Sequence, residues 1–483
     1  MSILSVYFLL FLFLLSILYH LTPNRFKPLI LLLGNVYFYL QFGIKYAVFL
    51  AASILSVFAG ALFIQRCQKS SAQKCICGAV LLINLLFLFH VKFTPYLVGM
   101  AQKFVNFDAS SLLQTVIIPV GVAFYTLQLC GYLIDVYRGK YPAEKNLLKF
   151  AAFSTFFPLM LQGPISRYEQ LAHQLYSTEK RTDIYRNYTY GAQLMLWGFF
   201  KKLVIADRVA LFVNEIFDNY TSYSGMTVVF AALFYTIQIY TDFSGCVDIC
   251  RGAAQLFCID ITDNFKQPYF AVSTQDFWRR WHISLSSWFR DYLYIPLGGN
   301  RKGIFRKYAN LLIVFFVSGL WHGAGIHYIV WGLMQGVFQI VGAITLPAKE
   351  KICTRLKIDR NTGLPLLLQH ITTFFLINLS WLVFRANGTI AAAQMLKSIF
   401  TFSALPKPLP AITYLDLIIL GISLLLLFSV SYYKEKGLHL RDEIAKQLLP
   451  IRWSIFLLLF AAILLFGIYG PGYSDAAFIY MNF

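Results

Sequence analysis

Charged side chains are scarce in this chain. Asp, Glu, Lys and Arg make up 13% of 483 residues, against 58% hydrophobic and 17% aromatic. A soluble protein of that length needs far more polar surface, so the scarcity points to a polytopic membrane protein. Acidic groups are scarcer still, 22 against 41 basic, for a net charge of +19. Such an excess raises nucleic acid as a partner, but its distribution argues otherwise. Lys and Arg gather in alternate loops, with nine in 249–308, five in 347–360 and five in 433–452, and none in 471–483. Excess Lys and Arg stay cytoplasmic. The pattern therefore reads as orientation, with the basic loops inside and both termini extracytoplasmic. Cysteine contributes little: Cys75-x-Cys77 and Cys246-xxx-Cys250 lack metal-ligand spacing, so reduced structural thiols and no metal are expected. No long hydrophilic stretch, low-complexity tract or clear repeat interrupts the chain, which suggests one integral domain over 1–483.

What is present is apolar sequence in runs that can cross a bilayer as helices, which takes roughly 17–25 residues. Candidates lie near 3–21, 29–42, 46–64, 77–98, 112–134, 190–213, 226–245, 309–322, 327–346, 365–384, 412–432 and 453–470. The expected fold is all-α, with about 11–12 transmembrane helices. Run 3–21 lacks a basic leader and a small-residue cleavage site, so it is expected to persist as a span. Two segments look too broken to cross. "FAAFSTFFPLMLQGPISR" (150–167) carries Pro158, Gly163 and Pro164, and "GCVDICRGAAQLFCI" (245–259) carries Asp248 and Arg251. Both read as re-entrant or interfacial pieces, since irregular backbone at membrane depth must be satisfied by protein or trapped water. Run 190–213 contains Lys201, Lys202, Asp207 and Arg208. Either these charges face the bundle interior, or the helix ends at Phe200 and the rest lies along the interface.

Chemistry concentrates in residues 276–325. A helix from Asp276 to about Tyr294 would put Phe277, Trp281, Leu285, Trp288 and Tyr292 on one face and Arg279, His282, Ser286 and Arg290 on the other. Such a helix lies in an interface, here the cytoplasmic one. Its guanidiniums beside His282 suit an anionic ligand such as a phosphate, or merely anionic lipid headgroups. His322 instead follows fourteen uncharged residues and precedes Gly323-Ala324-Gly325. That turn points outward, and span 309–322 looks short for a full bilayer, so His322 should be recessed. Apolar surroundings disfavour a charged imidazole and leave it available as a general base. A buried histidine bonded to a backbone carbonyl is the plainer reading of the same spacing. The small residues Ser318, Gly319, Gly323 and Gly325 leave room for a substrate beside it.

"FWRRWHISLSSWFRDYLYIPLGGN" together with "SGLWHGAG" resembles the membrane-bound O-acyltransferase (MBOAT) family, in particular its bacterial branch containing alginate O-acetyltransferases. The resemblance implies a ring of helices around a thinned centre, pierced by a tunnel from a cytoplasmic donor site to an external acceptor site. It implies that His322 is the principal catalytic histidine and His282 the second, in keeping with the charge-derived topology, which places the two toward different sides of the membrane. Trp281 and Trp321, each directly before a histidine, join Arg279, Ser286 and Arg290 as candidate substrate-binding residues. The terminal "FIYMNF" (478–483), of form Phe-x-Tyr-x-x-Phe in an extracytoplasmic tail 471–483, is similar to the tyrosine motif of acylation machines in this family. The phenol of Tyr480 would carry the acyl group once a base takes its proton; read alone, it is an interfacial aromatic.

The expected activity is transfer of an acyl group, in the simplest case acetyl, from a cytoplasmic thioester to an extracellular or cell-wall polysaccharide. The setting would be a bacterial cytoplasmic membrane. Acetyl-CoA or another acyl thioester, free or on a carrier, would be the donor, with no bound cofactor. Membrane lipid and a separate extracytoplasmic polysaccharide acetyltransferase are the expected partners. Alternatives are D-alanyl transfer to teichoic acid, and a transporter or flippase without chemistry. The last would show broken helices paired between two halves, and no such pairing is visible.

Overall fold

A computed structural model describes residues 1–105, 117–177, 183–401, 409 and 411–469. Among these the regular structure is helical, and β-type pairing is limited to one antiparallel bridge between Phe265 and Trp281. Among the described residues, eight helices are long and apolar enough to cross a membrane: Ile44–Arg66, Ser70–Ala101, Met226–Gln255, Gly303–His322, Ile326–Arg355, Gly363–Arg385, Tyr414–Glu435 and Leu449–Phe466. Val6–Leu21 and Val122–Tyr137 are apolar but shorter, at 16 residues each. The chain is an all-α polytopic membrane protein; among the described residues eight helices reach full length, against twelve apolar runs in the sequence. Run 29–42 falls in the helix Lys27–Leu40, only 14 residues long. The start of run 112–134 lies outside the described residues.

Packing divides the chain into two compact units. The first contains residues 1–195 and 246–262. Its core is aromatic, with the rings of Phe8, Phe38 and Phe157 meeting at centroid distances up to 6.3 Å. Segment 150–167 is broken as expected, into Leu147–Ser154 and a single turn Phe157–Met160, where Pro158 sits in the first turn and needs no donor. Buried amides satisfy the backbone freed by the break. Asn35 Oδ1 accepts from Phe157 N at 3.0 Å, its Nδ2 donates to Ala152 O at 3.4 Å, and Gln128 Nε2 donates to Phe153 O at 3.2 Å. Segment 245–259 corrects the sequence reading. Helix Met226–Gln255 runs through Asp248 and Arg251 without interruption. The two charges lie one turn apart at 3.9 Å, and Arg251 Nε donates to Ile261 O at 3.1 Å, so a regular helix accommodates them.

The second unit contains residues 196–245 and the described residues from 263 onward. Here the charged run resolves in favour of the interior. The chain stays helical past Phe200 through a π-helical turn, Phe200–Ala206, into Asp207–Asp218, and Lys201, Lys202, Asp207 and Arg208 are all buried. Lys202 Nζ lies 2.7 Å from both Asp207 Oδ1 and Asp242 Oδ1, Lys201 Nζ donates to Ser244 Oγ at 2.9 Å, and Arg208 pairs with Asp416 at 3.0 Å. Buried charges persist only when partnered in this way. Helices Gly303–His322 and Ile326–Arg355 form a close hairpin around Gly323-Ala324-Gly325. A Cβ at Gly319 would strike the Tyr328 carbonyl oxygen, and one at Gly332 the Phe315 carbonyl oxygen. Small residues at such points let membrane helices pack backbone to backbone.

Candidate active site

His282 marks the point where the expected 276–294 helix breaks. Helix Thr274–Arg280, capped by the Ser273 hydroxyl, ends before it, and Ile283–Phe289 begins after it. His282 itself has φ 45° and ψ 53°. A non-glycine residue in this left-handed region is uncommon and persists where its surroundings over-determine it. The segment 264–266 does so. Lys266 N donates to Arg280 O at 2.9 Å, Ile283 N to Asn264 O at 3.0 Å, and Ser284 N to Asn264 Oδ1 at 2.9 Å. Asn264 Nδ2 lies 3.3 Å from His282 Nδ1.

The 3.6-residue period does not carry across a left-handed residue, so the shared face of Arg279, His282, Ser286 and Arg290 does not form. Arg279 and Arg290 are exposed, Arg290 Nε pairs with Asp291 at 2.8 Å, and Ser286 Oγ donates to Trp281 O at 3.3 Å. His282 is 1% exposed, with the Phe243 ring edge-on at 4.8 Å. Burial holds this imidazole far below its usual range, to about 3, because desolvation penalises the cation.

His322 is the last residue of a 20-residue helix whose first turns include Arg306 and Lys307. A short span is therefore not what recesses it; aromatic packing is. It is 1% exposed, and its ring meets Trp321 at 4.9 Å, Trp331 at 5.0 Å and Phe384 at 5.3 Å, each nearly perpendicular. Trp331 stacks on Trp381 at 5.7 Å, Trp381 contacts Trp281 at 5.2 Å, and Trp278 meets Trp331 at 5.8 Å. Five of the eight tryptophans thus surround the two histidines. Gln335 pins the enclosure, accepting from Trp278 Nε1 at 3.0 Å and donating to Ser380 Oγ at 2.6 Å.

The Trp321 ring lies 6.1 Å from His282, so both histidines abut the same indole. They do not lie toward opposite faces of a hydrocarbon layer about 30 Å thick; they are neighbours across one ring. Two imidazoles within a water-excluding aromatic wall suit proton transfer and the stabilisation of developing charge. The structure brings Trp281 and Trp321 to this centre and leaves Arg279 and Arg290 at the surface. Tyr480 and the tail 471–483 lie outside the described residues. Sequence reasoning missed Asn264, Gln335, Trp331, Trp381 and Phe384, which come from distant segments and carry no local motif. Among the described residues, no group of three or more His, Cys, Asp or Glu is placed to hold a metal ion.

Fold and site together define a polytopic membrane protein with two buried histidines beside one indole. The profile of MBOAT, the membrane-bound O-acyltransferase family, matches residues 143–384, a range holding both histidines. A probable alginate O-acetylase of Pseudomonas putida is 35% identical over 408 residues, covering 82% of this chain and 80% of the relative. A peptidoglycan O-acetyltransferase of Helicobacter pylori is 34% identical, covering 77% and 73%. A teichoic acid D-alanyltransferase of Bacillus subtilis is 26% identical, covering 56% and 69%. The chain belongs to the membrane-bound O-acyltransferase family.

Proposed function

We propose that this enzyme passes an acyl group, in the simplest case acetyl, from a cytoplasmic thioester to the outer side of a bacterial cytoplasmic membrane. There it would O-acylate a polysaccharide. The observation that carries this reading is the pair of buried histidines flanking Trp321, together with relatives named for alginate and peptidoglycan O-acetylation. In the proposed step His322 removes the proton of an attacking hydroxyl. A C–O ester bond forms as the C–S thioester bond breaks, and the departing thiolate takes the proton from His322. His282 attends the acyl carbonyl from the other side of Trp321. Tyr480 supplies the attacking hydroxyl and hands the acyl group to a separate extracytoplasmic transferase. The exposed Arg279 and Arg290 attract the phosphates of a CoA or carrier donor, and Ser286 lies beside them in sequence.

Intact-mass spectrometry of the full-length protein, purified from membranes supplied with acetyl-CoA, tests the scheme. An acetyl adduct on Tyr480, absent from Tyr480→Phe and His322→Ala, is the expected result. The absence of any adduct together with unchanged polymer acetylation in both variants overturns it. A D-alanyl adduct has a different mass and would favour the teichoic acid reading, which the Bacillus subtilis relative supports.

A further inference from the structure

Trp331 is fully buried against His322, yet its only polar atom is not used by the fold. The ring stands nearly perpendicular to His322 at 5.0 Å, with Phe384 at 4.9 Å and Trp381 stacked at 5.7 Å. Among the described residues, its indole N–H meets no hydrogen-bond acceptor. A buried tryptophan N–H normally has a partner, because it has given up water to be there. Trp278 on the same wall follows that rule and donates to Gln335 Oε1 at 3.0 Å. Gln335 lies one turn further along the Trp331 helix, but its oxygen serves Trp278 and its NH2 group serves Ser380. The side chains packed on Trp331 are rings, whose faces accept a hydrogen bond only weakly. Packing does not call for this atom. A wall needs ring area, which a phenylalanine supplies without burying a donor.

We propose that the Trp331 N–H is a catalytic donor, which hydrogen-bonds the acyl carbonyl oxygen while that oxygen carries negative charge. The role rests on the function proposed above. As the attacking hydroxyl forms its C–O bond, the carbonyl electron pair moves onto the oxygen. As the C–S bond breaks, the pair returns and the thiolate leaves. An indole nitrogen only donates, so Trp331 keeps its proton throughout and acts by electrostatics alone. Rings on several sides set the direction of its N–H in advance, which is what makes such a donor effective as charge develops. Its contact with His322 places donor and base beside one acyl group. A carbonyl oxygen accepts more than one hydrogen bond, so this donor acts together with His282.

Benzothienylalanine keeps the two-ring shape of tryptophan with sulfur in place of N–H, so Trp331→benzothienylalanine removes the donor and little else. Full-length wild type and variant in membranes are compared for acetyl transfer over a range of acetyl-CoA concentrations, and in detergent for thermal stability. The expected kcat of the variant is about 10²–10³-fold lower. The donor KM should stay near wild type, the mark of an interaction made in the transition state. The melting temperature should not fall, because a donor without a partner loses no hydrogen bond when it is replaced. A wild-type kcat in the variant overturns the role and leaves the acyltransferase reading intact. A clear drop in melting temperature also overturns it, since the N–H would then be paired in the resting fold; this readout needs no activity. If the wild type itself transfers no acetyl group from acetyl-CoA, the function and this role fall together.

Discussion

The stretch 274–294 and the hairpin 303–355 each deliver one histidine to the same indole, by opposite structural means. In the first, two seven-residue helices meet at a left-handed residue, and hydrogen bonds from 264–266 hold the break. In the second, two long regular helices press together at glycine, and His322 is enclosed by the rings of Trp331 and Phe384. The first arrangement holds its histidine by hydrogen bonds to the backbone on either side of it. The second encloses its histidine in an aromatic wall. The chain draws the two from separate local folding problems: satisfying irregular backbone in one place, and close backbone packing in the other.

The largest effect that probes this comparison is at His322, the proposed base. His322→Ala should leave the protein inserted while acyl transfer falls about 10²–10⁴-fold, measured as polymer acylation in membranes of equal protein content. Near-normal acylation would remove His322 from its role. Next comes the hairpin. Gly332→Ala places a methyl against the Phe315 carbonyl, and overpacking of this kind costs about 1–3 kcal/mol. Thermal stability in detergent should drop, together with activity. An unchanged melting temperature would mean that the two helices can separate without consequence.

A smaller effect comes from His282 itself. Burial keeps it neutral down to about 3, whereas in the unfolded chain it titrates near pH ~6.5. Below that pH the unfolded state gains a proton that the folded state refuses, so stability is lost as pH falls toward the folded value. The slope from this one group is at most about 1.4 kcal/mol per pH unit. Denaturation midpoints measured between pH 7 and pH 4 should decline less steeply in His282→Gln, and equal slopes would contradict the burial. The smallest effect belongs to the surface. Replacing Arg279 and Arg290 by Gln should raise the donor concentration needed for half activity several-fold, most clearly at low salt, while kcat stays near normal.

Much of this was legible in the sequence. Apolar runs between basic loops fixed the class, and the Gly323-Ala324-Gly325 turn located the hairpin that carries His322. The failures have distinct physical causes. Periodicity assumed an unbroken helix across His282, but hydrogen bonding from a segment some twenty residues earlier forced a left-handed break. Asp248 and Arg251 read as breakers, yet a pair spaced by three sits on one helical face and is tolerated. The start of the His322 helix was set too late, because Arg306 and Lys307 were read as loop. The aromatic wall could not be read at all: Trp331, Trp381 and Phe384 are ordinary helix residues whose convergence is a property of packing.

The central claim is that His282 and His322 work as one centre across Trp321. A double-mutant cycle tests it directly: rates of acyl transfer for His282→Gln, His322→Gln and the double variant, at matched protein levels. Groups that act as a unit give strongly non-additive losses. The double variant should therefore be about as slow as the slower single. Losses that multiply, each histidine contributing its full factor independently, would contradict a shared centre.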